Sequence, residues 1–173
     1  MSRRYKQTTE YGGISGFYFN RLLQSLIKVG GLENDKKGVL DFGAGLGVLK
    51  RMLPGSKIIN YDVVRELSDV DDWKEVAFDV MVINEVLYLF EEKEILQLLV
   101  DVKRINPKAE LVVGISRQSW LNNLGKIILG QADAHSGTKT GPKEELKILR
   151  SQMDVVQHKS VLMLADVYRL KFK

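Results

Sequence analysis

The stretch that decides the fold is Gly38-Val39-Leu40-Asp41-Phe42-Gly43-Ala44-Gly45-Leu46-Gly47-Val48-Leu49. It begins with a short apolar run, continues into three glycines at alternate positions, and resumes with leucines at helical spacing. The pattern therefore predicts a strand, a glycine-rich turn and a helix. Glycines in such a turn let the backbone bend sharply and approach a ligand closely, and the following helix presents free N–H groups beside that ligand.

The composition is typical of a globular protein and excludes several kinds of site. With 173 residues, of which 45% are hydrophobic, the chain can bury its own core, and we expect residues 1–173 to form one domain. It contains no cysteine, so disulfides and thiolate chemistry are excluded. Its two histidines, His135 and His158, are not spaced with acids on one element. We therefore predict no metal site.

Charge and hydropathy bear on partners and location. The net charge of +4 is scattered along the chain, which favours a solvated surface over a nucleic-acid face, although the latter stays open. No apolar window is long enough for a membrane span, and the basic residues at the start precede no apolar stretch of a secretory signal. We therefore expect a cytoplasmic protein that does not bind a membrane.

Predicted strands and helices alternate along the chain. Apolar runs predict further strands at Lys57–Tyr61, Phe78–Asn84 and Ala109–Ile115. Two final runs, Val155–Leu164 and Val167–Phe172, are separated by a turn so short that they should form an antiparallel hairpin. The order indicates an α/β fold, a doubly wound, mostly parallel sheet with helices on both faces and a C-terminal antiparallel hairpin.

The helical segments are less regular. Periodic apolar residues predict helices at Phe17–Val29, Glu91–Ile105 and Pro142–Met153, with a further helical segment at Trp120–Leu129. Glycines disfavour extending the first of these helices back through Tyr11–Gly16. The acidic connection between the second and third predicted strands is short, with room for one helical turn and a brief additional strand.

Three separate segments converge on one predicted site. Ligands of open α/β sheets bind at the carboxyl ends of the strands, where the glycine loop, Asp62 and Asn84-Glu85 all fall. A dinucleotide fingerprint would need a third glycine at the position of Val48. Asp41 before the loop would also repel a pyrophosphate and attract an amino group. A nicotinamide oxidoreductase is therefore disfavoured.

At this point the chain resembles the class I S-adenosylmethionine-dependent methyltransferases. Residues 39–47 are similar to the first motif of that family, and residues 78–87 are similar to its fourth. The closing hairpin matches the family's last two strands. The resemblance implies a seven-stranded sheet, S-adenosyl-L-methionine as the cofactor, and methyl transfer as the activity.

The resemblance also implies a role for each matched residue. The Gly43–Gly47 loop would pass under the methionine part of the cofactor, and Asp41 would orient its amino group. Asp62 would accept hydrogen bonds from the ribose hydroxyls, and Asn84 would line the methionine side. Asp71 or Asp72 would meet the adenine amino group, with Trp73 against the ring. The implied cofactor-binding residues are Asp41, Gly43, Ala44, Gly45, Gly47, Asp62, Val63, Asp72, Trp73, Asn84 and Glu85.

For several of these residues, a purely structural role is the alternative to ligand binding. Asp62 and Asn84 could cap turns, and Glu85 could simply start a helix. Asp72 could belong to a solvated acidic loop, and Trp73 could be core.

The residues that would bind the methyl acceptor are the hardest to identify from the sequence. Methyl transfer requires mainly alignment of the reacting atoms and exclusion of water, so no strong catalytic constellation is needed. The candidates for a catalytic role are His135, Tyr11 and Tyr18. Residues 1–37 are predicted to form a helical lid, with a helix packed on the sheet as the alternative.

A small-molecule acceptor is favoured. The residues after the fourth-motif strand, Asn84-Glu85-Val86-Leu87, lack the Asn/Asp-Pro-Pro-aromatic run of the family's members that methylate adenine or glutamine amino groups. An RNA or protein acceptor, and a non-catalytic cofactor-binding or scaffold subunit, stay open as alternatives.

Overall fold

The computed structural model describes residues 13–34, 36–117 and 139–173. Four α-helices and six strands lie in these ranges. In chain order they are α1 (Gly13–Gly30), β1 (Gly38–Phe42), α2 (Val48–Met52), β2 (Lys57–Tyr61), β3 (Val80–Asn84), α3 (Glu92–Ile105), β4 (Glu110–Ser116), α4 (Pro142–Gln152), β5 (Met153–Val161) and β6 (Ala165–Phe172).

The strands form one sheet in the order β2-β1-β3-β4-β6-β5. The first four are parallel, and β6 pairs antiparallel with both β4 and β5. The predicted mostly parallel sheet and its closing antiparallel hairpin are thus confirmed. The hairpin turn lies at residues 162–164, just before the predicted position at Ala165-Asp166.

The described sheet has six strands, one fewer than the implied seven. Between β2 and β3 the chain makes two 3-10 turns, Arg65–Leu67 and Trp73–Glu75, and no strand. Asp69 explains this, because its carboxylate accepts the Asn60 N–H at 2.8 Å and its own N–H donates to the Asn60 carbonyl at 2.9 Å. These bonds occupy the edge of β2 that a further strand would have paired with.

Helices cover both faces of the sheet. On one face α3 and α4 pack against the strands through residues such as Ile95, Leu99 and Leu149. On the other, α1 and α2 pack through Leu22, Leu26 and Leu49 among others. No helix in the described ranges has the length and apolar character that crossing a membrane requires.

Helix α1 begins at Gly13, earlier than the glycines had suggested. A glycine inside a helix costs only about 1 kcal/mol relative to alanine. Full burial of two α1 leucines, Leu22 and Leu26, outweighs that cost. The helix ends as predicted at Gly30-Gly31, where Gly31 has a φ of 60° and the Leu32 N–H donates to the Ile27 carbonyl at 3.0 Å.

Candidate active site

The glycine loop after β1 has the conformation that its sequence requires. Gly43, Gly45 and Gly47 have φ values of 78°, 52° and 66°, all in the left-handed region. A Cβ on Gly43 would lie 2.5 Å from a Val86 methyl group, and one on Gly47 would lie 2.5 Å from the Asn60 amide nitrogen. The loop is therefore packed tightly against β2 and the segment that follows β3, and the positive φ and close contacts favour glycine at these two positions.

Asp62 joins this loop to the end of β2. Its carboxylate accepts the Gly45 N–H and the Val64 N–H, each at 2.9 Å, and the residue is 8% exposed. The capping alternative is thus present in the structure. A carboxylate has about four acceptor positions, so two remain for the hydroxyl groups of a ligand. Val63 beside it is 84% exposed.

Asp41 is buried in β1 without a partner. It is 6% exposed, and within the described ranges its carboxyl group makes no hydrogen bond or ion pair. Burial, together with repulsion from Asp62, raises the pKa of Asp41 to about 7. Such a group favours a positively charged or hydrogen-bond-donating neighbour.

Two amide oxygens at the same edge also have no donor. The side-chain oxygens of Asn60 and Asn84 are buried, and no described residue hydrogen-bonds either of them. Asn60 lies opposite Asp41 in the β1–β2 pairing. A Cβ on Gly114 would lie 2.4 Å from the Asn84 oxygen, so glycine at that position of β4 leaves room for this amide. Sequence reasoning missed Asn60 and Gly114, although both follow from the strand register.

A second group of polar side chains, one buried and three partly buried, lies at the carboxyl ends of β3 and β4; we call Tyr18, Glu85, Ser116 and Glu145 the acidic cluster. The Tyr18 hydroxyl donates to a Glu85 carboxyl oxygen at 2.8 Å, and the Ser116 hydroxyl hydrogen-bonds the same carboxyl group. Glu85 follows β3 with a φ of 54°. Burial raises the pKa of Glu85 despite these bonds.

Tyr18 acts in this cluster as a donor. Burial and the Glu85 charge raise the pKa of its hydroxyl far above the usual value, so it keeps its proton. This favours a positioning role over that of a base. Helix α1 itself packs on the sheet, and the lid assigned to residues 1–37 stays a prediction.

Glu145 reaches the cluster from α4. It is 4% exposed, and no hydrogen bond or ion pair joins its carboxyl group to another residue of the described ranges. Burial and repulsion from Glu85 raise the pKa of Glu145 to about 7. The start of α4 is held in place by the Thr140 hydroxyl, which donates to the Phe90 carbonyl at 2.6 Å. Sequence reasoning missed Glu145, although it shares the apolar face of Ile148 and Leu149.

Similarity to known proteins is found among solved structures. No protein-family model matches the sequence, and no curated protein gives a significant match. Solved structures do match. The PH0226 protein from Pyrococcus horikoshii OT3 is 14% identical over 100% of both chains, with a TM-score of 0.71. The N-methyltransferase NodS from Bradyrhizobium japonicum WM9, in complex with S-adenosyl-L-homocysteine, is 17% identical over 90% of this chain and 87% of that one, with a TM-score of 0.64.

A third solved structure also matches nearly the whole chain. Magnesium protoporphyrin IX methyltransferase from Synechocystis PCC 6803, with bound S-adenosyl-L-homocysteine, is 13% identical over 99% of this chain and 92% of that one, with a TM-score of 0.63. The chain has the class I methyltransferase fold. At these identities the likeness is one of fold, and the described residues have six strands of that fold, without the strand that Asp69 replaces.

The three residues named as candidate adenine contacts have structural roles in this methyltransferase fold. The Trp73 ring is 6% exposed and packs edge-on against Phe42 at 5.6 Å. The Asp72 carboxylate accepts the Lys74 N–H at 2.9 Å and so caps a 3-10 turn. Asp71 forms an ion pair with Arg65. These positions favour the packing and capping alternatives over adenine contacts.

The remaining sequence candidates lie elsewhere. His135, Tyr11 and the helical segment predicted at Trp120–Leu129 are outside the described residues. His158 lies on β5, stacked on the Tyr168 ring at 4.6 Å. A surface groove of about 380 Å³, lined by residues 74–79, 105 and 106, lies at the opposite, amino-terminal edge of β3 and does not belong to this site.

Proposed function

We propose that this protein is an S-adenosyl-L-methionine-dependent methyltransferase that acts on a small molecule. The observation that carries the proposal is a set of acceptors at the carboxyl edge of the sheet that no described residue satisfies, namely the buried side-chain oxygens of Asn60 and Asn84 and the carboxyl group of the buried Asp41. A ligand that carries an amino group and a positive sulfur supplies the missing donors and charge. A dinucleotide pyrophosphate would add further negative charge beside Asp41 and Asp62.

The residues present suit this cofactor. Asp41 and Asn84 would hold its amino group, the tight turn at Gly43–Gly47 would let its methionine part approach the backbone, and Asp62 would accept from its ribose hydroxyls. When bound, S-adenosyl-L-methionine supplies a methyl group on a positively charged sulfur, from which an acceptor's lone pair can displace it. The protein then has to align the acceptor and exclude water.

The electrostatics of the site favour a small-molecule acceptor over RNA. Asp41, Asp62, Glu85 and Glu145 all lie near the carboxyl edge of the sheet. The nearby Arg117 is engaged by Asp166, and Lys139 by Glu94. Considering the described residues alone, a phosphate backbone approaching this edge would meet repulsion from these carboxyl groups.

Calorimetry tests the proposal. We expect S-adenosyl-L-methionine and S-adenosyl-L-homocysteine to bind and NAD to give no signal. Gly47→Ala places a Cβ against Asn60 at a left-handed φ, so it should weaken S-adenosyl-L-homocysteine binding at least about tenfold.

Gly55→Ala is the matched control, because a Cβ there meets nothing within 4 Å and should leave the affinity unchanged. Absence of binding by both adenosyl compounds, or preference for NAD, would overturn the proposal.

A further inference from the structure

The acidic cluster contains more hydrogen-bond acceptors than donors. Its two hydroxyl donors, those of Tyr18 and Ser116, are both engaged within the cluster at Glu85. The Glu145 carboxyl group, 4% exposed, receives no donor from the described residues. A buried acceptor left without a donor costs about 1–3 kcal/mol, and more if it is charged. Among the described residues, the Glu145 carboxyl group therefore lacks a donor that a bound ligand could supply.

Four separate elements bring these side chains together. Tyr18 comes from α1, Glu85 from the end of β3, Ser116 from the end of β4 and Glu145 from α4. Glu85 directly follows Asn84, whose buried amide oxygen borders the cofactor site, and its N–H donates to the Gly114 carbonyl at 2.9 Å. The cluster therefore adjoins the proposed cofactor site.

We infer that the acidic cluster binds the amino group of the methyl acceptor and takes a proton from it, so that the acceptor is a primary or secondary amine. The inference rests on the proposed function and names the substrate class of the same site. An ammonium group donates two or three hydrogen bonds and carries the positive charge that two adjacent carboxyl groups favour. A carboxylate or phosphate would be repelled, and a neutral hydroxyl would supply one donor and no charge.

The proton balance is simple. A bound ammonium group gives one proton to a carboxylate of Glu85 or Glu145, which becomes a carboxylic acid, and the amine keeps the lone pair that it needs as a nucleophile. Burial raises the pKa of Glu85, and burial together with repulsion from Glu85 raises the pKa of Glu145 to about 7, so both carboxyl groups are suited to take up a proton. Tyr18 and Ser116 position Glu85 and do not themselves exchange the proton.

Binding of small probes to the protein saturated with S-adenosyl-L-homocysteine tests the inference without relying on turnover. Benzylamine, benzyl alcohol and benzoate share one ring and differ in their head groups. We expect benzylamine to bind at least tenfold more tightly than benzyl alcohol, and benzoate not to bind. Glu145→Gln and Glu85→Gln should each weaken benzylamine binding about tenfold, and Glu145→Gln should change the affinity for S-adenosyl-L-homocysteine less than threefold.

Glu144→Gln is the matched control, because Glu144 is the exposed neighbour of Glu145 on α4 and should leave benzylamine binding unchanged. Equal binding of benzylamine and benzyl alcohol, or no effect of either cluster substitution, would overturn the inference. If Glu85→Gln does not fold, the head-group comparison in the unmodified protein still decides. Absence of an amine preference in the unmodified protein, with S-adenosyl-L-homocysteine bound, refutes this inference alone, whereas failure of S-adenosyl-L-homocysteine to bind refutes the proposed function.

Discussion

Asp41 and Asp166 are aspartates of similar burial near the same edge of the sheet, 6% and 7% exposed, yet their pKa values are shifted in opposite directions. Burial acts to raise both values. Asp166 nevertheless has a pKa of about 2, because Arg117, His158 and Ser160 all hydrogen-bond its carboxylate. Asp41 has no such partner in the described ranges, and its pKa is about 7.

The difference separates a structural carboxylate from one that a ligand would complete. The Asp166 group ties the residue after β4 to the hairpin, since Arg117 contacts both carboxylate oxygens and its own N–H donates to the Leu164 carbonyl at 2.7 Å. Asp41 makes no comparable link and weakens the unliganded fold when ionised. Glu145 resembles Asp41 in this respect.

The pH dependence of stability should show the largest effect of this contrast. Asp41 and Glu145, with pKa values of about 7 in the folded protein, keep protons that the unfolded chain has lost above about pH 4. Their contribution is therefore greatest at low pH and is lost as the pH rises through 7. We expect the free energy of unfolding without ligand to fall by about 5 kcal/mol between pH 5 and pH 8, about half of it from each group.

Asp166 has the opposite sign, because its lowered pKa stabilises the fold above about pH 4, and that contribution is lost as the pH falls towards 2. Urea unfolding at a series of pH values measures both limbs. A flat profile from pH 5 to pH 8 would contradict the assignment of Asp41 and Glu145 as proton-holding groups.

Arg117→Met should destabilise the protein by about 2 kcal/mol at pH 7. It leaves Asp166 buried and removes the guanidinium that contacts both of its oxygens, and the half-exposed position of Arg117 keeps the loss below that of a fully buried pair. Chemical denaturation measures the change. Lys143→Met, an exposed position on α4, is the control, and an equal loss in both variants would refute the structural role.

Asp41→Asn should instead stabilise the unliganded protein. At pH 8 it removes a buried charge without a partner, so the unliganded protein should gain about 1 kcal/mol of stability. The same change should weaken S-adenosyl-L-methionine binding about tenfold, because the cofactor's amino group loses its charged partner. A variant that loses stability and binds normally would place Asp41 with the structural carboxylates.

Tyr18→Phe should have the smallest effect, about 0.5–1 kcal/mol, since it removes one hydrogen bond to Glu85 and preserves the ring. We expect S-adenosyl-L-homocysteine to bind normally to this variant. Thermal unfolding and calorimetry together measure both quantities. A tenfold loss of S-adenosyl-L-homocysteine affinity would show that Tyr18 belongs to the cofactor site and not to the acidic cluster.

Features that depend on neighbouring residues could be predicted from the sequence. The left-handed turn at Gly43–Gly47 follows from glycine's freedom at positive φ, and the position of Asp62 and Asn84 at strand ends follows from the length of each apolar run. These local patterns were enough to locate the candidate cofactor loop and to favour S-adenosylmethionine over a dinucleotide as its ligand.

Features that depend on contacts between residues far apart in the chain could not be predicted from the sequence. The missing strand reflects hydrogen bonds from Asp69 back to Asn60, and the early start of α1 reflects burial of its leucines against the sheet. Glu145 is distant in sequence from Glu85, and in isolation it looked like an ordinary acid in the first turn of a helix. Trp73 could be assigned to the core only once Phe42 was placed beside it.

Proton release on cofactor binding is the most direct test that Asp41 gives the cofactor site a negative charge. Titration of S-adenosyl-L-methionine at pH 7 in two buffers of different ionisation enthalpy gives the number of protons exchanged. Because a positive ligand favours the ionised form of Asp41, the protein should release about half a proton from a group whose pKa is about 7. Asp41→Asn should abolish that release. Binding with no proton release, or equal release from Asp41→Asn, would contradict the account.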